Sequence, residues 1–289
     1  MSRTRARVDD VLFGAESGRR LRFVHAALAV LIGLRVALGS YRQLATTPDA
    51  LFDPVPFLGW LPSMPPAWAI VGLQLLGVGG AVAVLLRRHP RAGFVLAWVC
   101  YLLLAGLRGS RGKVLHNDLL LLWTAVLFLL APVQVAWDDR VRRRSHGWPI
   151  RSAMVIAALV YFLAGCHKLR RSGLDWALGD NVRYVMLWGP SVGAAKWDSM
   201  ATWIGEHLWA SKATGAFILA FELTFPVALV KRGLQPLFAL VAVALHVTTY
   251  LFLGLDYWAW ALTVLILFVD WPALADRLGT MRGDPVAAG

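Results

Sequence analysis

The sequence predicts an all-α integral membrane protein: a bundle of about eight transmembrane helices with interfacial amphipathic helices on its outer face. Three observations predict this class. Of 289 residues 58% are hydrophobic and only 16% are charged, with a mean hydropathy of +0.60, which is far too apolar for a water-soluble domain of this length. Apolar runs recur near the ~20 residues needed to cross ~30 Å of hydrocarbon. The cations collect in the short loops between those runs, as the positive-inside rule describes.

In chain order, Met1 to Arg22 is a basic tail. Its mixed charges, and the lack of a small-residue cleavage site after the first apolar run, argue against a signal peptide. Spans are expected at roughly 21–39, 68–86, 92–108, 114–132, 150–167, 213–230, 234–253 and 255–271. An even number of spans places both termini on one side. Of the 29 Lys and Arg residues, eighteen fall on that side, in the tail (Arg3, Arg5, Arg7, Arg19, Arg20, Arg22), in the loops at Arg87–Arg91 and Arg140–Arg151, and at Lys231, Arg232, Arg277 and Arg282. Ten fall on the opposite side, and Arg35 lies within the first span. The expected arrangement is therefore a multi-pass protein of the inner or plasma membrane with both termini cytoplasmic. It has a cytoplasmic tail at 1–22, a transmembrane domain at 23–271 and a short cytoplasmic tail at 272–289. One short external loop, with Arg108, Arg111 and Lys113, breaks the charge rule.

The formal charge of +12 is dispersed in loops rather than concentrated in a groove-sized stripe, so the predicted partner is the lipid bilayer and not nucleic acid. Cys100 and Cys166 lie in separate apolar runs without a C-x-x-C spacing, which argues against a redox dithiol.

Two external segments are not spans. The connection Thr47–Trp68 is too rich in proline to form a regular helix. In the loop 169–212, apolar positions such as Leu174, Trp176, Leu178, Val182, Val185 and Met186 alternate with charges at helical spacing, the pattern of interfacial helices. Most of the loop tryptophans, including Trp60, Trp68, Trp176, Trp188 and Trp203, fall in these two segments. An aromatic belt of lipid-facing anchors accounts for them without a ligand.

Polar groups at membrane depth are more informative. Arg35 lies about 7 Å below the outer end of its span, His246 about 12 Å and Glu222 about 15 Å, at ~1.5 Å per residue. An ionised group at such depth costs at least ~2.5 kcal/mol on insertion scales and should be paired inside the bundle. Arg35 with Glu222 is the expected pair, serving as a structural tie or a proton relay. His116, Asn117 and Asp118 open the fourth span and Lys168 closes the fifth. Tyr161, Gly165 and Lys168 share a helical face, as do His246, Thr249 and Tyr250. Gly165 would admit a neighbouring helix or a flat ligand. Lys168 is either an interfacial anchor or a base held in a pocket. The histidines show no local metal-ligand spacing, so no metal is predicted. No nucleophile elbow or nucleotide-binding loop is present.

The stretch YFLAGCHKL at Tyr161–Leu169, followed by a Trp-containing segment, resembles the motif of the HTTM (horizontally transferred transmembrane) family. That family is related to the membrane domain of the vitamin K-dependent gamma-glutamyl carboxylase. GLRVALGSYRQL in the first span, HND at the start of the fourth, and FELTFPVALV with LHVTTYLFLGLDYW near the end agree with it, so the resemblance covers about residues 20–272. It implies that Lys168 acts as a weak base on reduced vitamin K or another quinol, and that His116 stabilises the deprotonated quinol. His246, Tyr161, Gly165, Tyr250 and Asn117 are the candidate cofactor-binding residues around them. It further implies carboxylase-like chemistry on a secreted or periplasmic peptide or other substrate. Two departures stand out: His167 precedes Lys168 where the carboxylase has a second lysine, and the chain reaches Gly289 without a large extramembrane substrate domain. Two alternatives stay open. One is a non-catalytic accessory in maturation or export of a secreted peptide, acting on that peptide or a partner membrane protein. The other is a proton-coupled channel or transporter with Arg35, Glu222 and His246 along a water path.

Overall fold

The computed structural model describes residues 9–112 and 116–281. Arg3, Arg5, Arg7, Lys113 and Arg282, counted above among the loop cations, lie outside the described residues. The chain is helical almost throughout, and helices stand at all eight apolar stretches. Among the described residues five helices are long and apolar enough to cross a membrane, six if a broken pair near the end counts as one span. The chain forms two compact units. One comprises Met1–Ala153 with Asp270–Gly289, the other Met154–Val269.

The first unit is built on α1 (Gly18–Leu38), α2 (Ala67–Leu85) and α3 (Pro90–Gly109). Ser17 caps α1, its hydroxyl accepting from the backbone N–H of Arg20 at 3.2 Å, while Pro90 occupies the first turn of α3, where its missing N–H costs nothing. Without a hydrophobic effect between helices in lipid, small residues let backbones approach. A methyl group on Gly80 would sit 2.6 Å from the Gly93 carbonyl oxygen and 2.7 Å from the Ala97 nitrogen. α2 is also tied to the end of α1, where the Gln74 amide donates to the Val36 carbonyl at 2.8 Å. The proline-rich connection forms short 3₁₀ turns at Asp49–Leu51 and Pro56–Leu58, since its prolines lack the N–H groups a regular helix needs. The fourth apolar stretch is short: a 3₁₀ turn at His116–Asp118, α4 (Leu119–Ala125) and a second 3₁₀ turn at Val126–Leu129.

The tail expected at 1–22 is partly structural. β1 (Glu16–Ser17) pairs antiparallel with β2 (Arg142–Arg143), and α1 already begins at Gly18. Glu16 is buried, 1% exposed, with Arg20 at 3.0 Å, Arg142 at 3.6 Å and Arg151 against its other oxygen. The C-terminal residues likewise form α13 (Trp271–Met281), where Asp276 takes Arg19 at 2.7 Å.

α5 (Arg144–Ser172) begins in the first unit and continues into the second. It outruns the expected span 150–167 at both ends. Arg170 and Arg171 in its last turn suit the negative end of the helix dipole, so charge there does not mark the helix end. In the second unit follow α6 (Asp175–Leu178), α7 (Asn181–Ser191), α8 (Asp198–Glu206), α9 (Leu208–Thr224), α10 (Val227–Val230), α11 (Gln235–Leu253) and α12 (Trp258–Phe268). The sixth apolar stretch divides between α9 and α10 because Pro226 lacks the N–H that would continue the ladder. Helices α6–α8 fold as a cap on the end of α11. Val182, Met186 and Ala201 bury against Phe252, and the backbone N–H groups of Lys196 and Trp197 donate to the Leu251 carbonyl at 2.7 and 2.9 Å. Gly254, at φ +66°, ends α11 in the left-handed conformation that glycine tolerates.

Burial opposes the charge on Glu16, but Arg20, Arg151 and Arg142 together hold its carboxyl below the ordinary value of 4.5. A carboxyl lowered by folding contributes stability that is present above its unfolded value and is lost as pH falls through the folded one. The thermal midpoint in detergent should therefore fall as pH drops below about 4.5, and Glu16→Gln should flatten that part of the profile.

Candidate functional site

Each unit holds a buried polar network among its helices. In the first unit, Arg35 of α1 donates through Nε to Asp118 Oδ1 at 2.7 Å, and both side chains are buried. The Tyr101 hydroxyl of α3 donates to the same oxygen at 2.7 Å, and Arg108 reaches Asp118 Oδ2 at 3.4 Å while lying 4.3 Å over the Tyr41 ring. Tyr101 and Arg108 are seven residues apart and so share one face of α3. The Asp118 carboxylate thus gathers two cations and a phenol, an arrangement that ties α1 and α3 to the fourth apolar stretch. His116, two residues away, is exposed.

In the second unit, α5 presents Tyr161, Gly165 and Lys168 on one face, as their spacing requires. Gly165 faces α9, where an added methyl would meet the Glu222 Cβ at 3.1 Å and Leu223 at 3.0 Å. A helix, one of the two neighbours foreseen at this glycine, makes this close approach. It sets Glu222 beside α5, and the Lys168 ammonium donates to Glu222 Oε1. Glu222 is 6% exposed, and its Oε2 is buried without a hydrogen-bond partner. The indole of Trp176, from α6 of the cap, covers the amine at 4.7 Å, a cation–π contact strengthened where water is excluded.

A second pair lies in the same unit. The Tyr161 hydroxyl and His246 Nε2 of α11 are 2.7 Å apart. The Tyr161 ring stacks on Phe225 at 4.3 Å and meets Trp260 edge-on at 6.4 Å, while His246 stacks on Tyr257 at 5.4 Å. Tyr250, expected to accompany His246, is 47% exposed.

The expected pairing of Arg35 with Glu222 is replaced by two others. Arg35 takes Asp118 and Glu222 takes Lys168, each within its own unit. Depth in the span shows that both groups need a partner, but the choice of partner depends on helix rotation and register. Tyr101, Trp176 and Trp260 were not singled out as site residues. The helical spacing of Tyr101 with Arg108 was the available signal for the first, whereas the other two resemble belt or core aromatics in sequence. Compared with family models, curated proteins and solved structures, the chain matches none.

Removing one member of a buried ion pair strands the other charge, at about 3–5 kcal/mol, while replacing both by apolar groups is often near neutral. Asp118→Ala should therefore lower stability in detergent unfolding by about 3–5 kcal/mol, and Arg35→Met with Asp118→Leu should recover most of it. For the less buried Lys168–Glu222 pair, a double-mutant cycle with Lys168→Met and Glu222→Gln should give a coupling of about 0.5–3 kcal/mol. A coupling near zero would mean that the lysine spends its time in solvent or headgroups.

Proposed function

We propose that the chain is an HTTM-type integral membrane enzyme in which Lys168, held on Glu222, serves as the base toward a reduced quinol during modification of a secreted or periplasmic peptide. The observation that carries this reading is the destination of the Lys168 amine. It turns onto a buried carboxylate under an indole instead of extending toward headgroups, as an anchoring lysine does.

The residues fit a hydroxyl-bearing aromatic ring. Glu222 Oε2, buried and without a partner, is an acceptor placed beside the amine, and Trp176 offers an aromatic face. When bound, a reduced quinone supplies reaction with oxygen, and with it a base far stronger than any side chain. The protein's share is proton handling. Shifting one proton along the Lys168–Glu222 hydrogen bond leaves a neutral amine and a neutral carboxylic acid, so the site keeps its net charge. The neutral amine can then take a proton from a hydroxyl held against it. Tyr161 and His246, hydrogen-bonded to each other, supply a second donor–acceptor pair in the same unit.

In this reading the chain crosses the inner or plasma membrane about eight times with both termini cytoplasmic, and α6–α8 lie on the outer leaflet as the interfacial cap. The cation asymmetry of the loops supports that orientation.

The test is mass spectrometry of a secreted peptide co-expressed from a neighbouring reading frame, with wild-type protein and with Lys168→Ala. A mass gain of carbon dioxide, or another change lost by at least about a hundredfold in the variant, supports a catalyst. A peptide matured equally by both proteins would instead identify a non-catalytic helper.

A further inference from the structure

We propose that the exposed face of α3, with the turn that precedes it, binds an anionic phospholipid. The proposal rests on the membrane-embedded reading but not on the chemistry assigned to Lys168. A shallow, open groove of about 660 Å³ runs along this face, between α3 and Gln134. Its wall is formed by Ala92, Val95, Leu96 and Val99, whose spacing of three, four and seven places them on one helical stripe. All four are exposed, with Val95, Leu96 and Val99 each 38–39% accessible. From Ala92 to Val99 the stripe runs about 10 Å, roughly two-thirds of one leaflet's half of the ~30 Å hydrocarbon core. That is room for the upper part of an acyl chain.

The head of the groove has the opposite character. His89 and Arg91 line it, and the Arg91 guanidinium donates to the Ala131 carbonyl at 3.1 Å, which fixes the side chain across the opening. Arg87 and Arg88 stand in the same turn. Among the described residues none of Arg87, Arg88 and Arg91 has a carboxylate partner. Arg22 lies near enough to Arg87 for the two to repel, and Asp138 is the carboxylate that faces Arg22. Positive charge is therefore in excess at this mouth. The turn also holds Arg87 at φ 60° and His89 at φ 53°, a left-handed conformation that side chains rarely adopt and that recurs where a ligand is clamped.

An apolar stripe two helical turns long that ends at Arg91, with Arg87 and Arg88 in the preceding turn, matches one occupant in charge and polarity. The phosphate lies against Arg91 and Gln134, and one chain lies along Val95, Leu96 and Val99. A zwitterionic lipid brings its own cation to the same mouth and forfeits the electrostatic attraction. A soluble phosphate leaves the apolar wall uncovered.

The test uses the full chain in nanodiscs of phosphatidylcholine containing a minor fraction of phosphatidylglycerol, with lipids retained on release into detergent counted by native mass spectrometry. Retention should favour phosphatidylglycerol by roughly fivefold after correction for composition. Arg91→Gln, which removes the charge at the mouth, and Leu96→Trp, which fills the groove, should each bring it near parity, while the distant surface variant Arg42→Gln should not. Equal retention of both lipids by the wild type, or an undiminished preference in Arg91→Gln, overturns the proposal. Displacement of phosphatidylglycerol by inorganic phosphate also overturns it, because the ligand would then be a free anion. Alkaline carbonate extraction separates this from the underlying reading: a chain washed from membranes refutes the embedding itself, whereas a retained chain indifferent to headgroup refutes only the lipid site.

Discussion

Charge placed among apolar helices has to find a counter-charge or a full set of hydrogen bonds, and much of this fold follows from that constraint. Arg35 and Asp118 are separated by 83 positions, Lys168 and Glu222 by 54, and Arg151 and Glu16 by 135, yet each pair is in contact. A buried pair adds little net stability relative to apolar residues of the same size, but any packing that separates its members leaves an uncompensated charge. Such pairs therefore act as registration marks. Arg35–Asp118 fixes how α1 and α3 meet the fourth apolar stretch, Lys168–Glu222 fixes α5 against α9, and the Glu16 cluster fixes the start of α1 against the start of α5.

Close packing supplies what the pairs do not. Between α2 and α3, Gly80, Gly93 and Ala97 bring the backbones together, and Gly165 does the same between α5 and α9. The second case shows how packing and electrostatics cooperate. A β-carbon at Gly165 would crowd Leu223 and the Glu222 Cβ, at 3.0 and 3.1 Å, and so disturb the seat of the carboxylate beside Lys168. The glycine thus acts on this pair through the helix it admits.

The helical class and the positions of the helices were legible because they depend on composition and on runs of apolar residues, which are local properties. Helix boundaries were less so. α5 continues through Arg170 and Arg171, which look like a stop but favour a helix C-terminus, and α9 stops at a proline inside an apolar run. The short ladder that ties Glu16–Ser17 to Arg142–Arg143 joins segments more than a hundred residues apart and left no periodic trace. For the site, the need of Arg35 and Glu222 for partners could be read from depth alone, and so could the shared face of Tyr161, Gly165 and Lys168. The partners could not, because Asp118 and Lys168 are contributed by other helices whose rotation the sequence does not specify. Trp176 stood out only as one belt tryptophan among several.

What separates the Lys168 pair from a structural tie is the second oxygen of Glu222. In the Asp118 network both carboxylate oxygens are used, one by Arg35 and Tyr101 and the other by Arg108, as a tie that only holds helices together would be. At Glu222 one oxygen holds the amine, and the other is buried with no partner, a state that ordinarily costs the desolvation of the group without return. A buried, unmatched acceptor beside an amine is the feature from which the proposed site for a hydroxyl-bearing ligand is argued. The pair ties α5 to α9 as the others tie their helices, and the unused oxygen of Glu222 is the added feature on which the proposed acid–base role in the second unit rests.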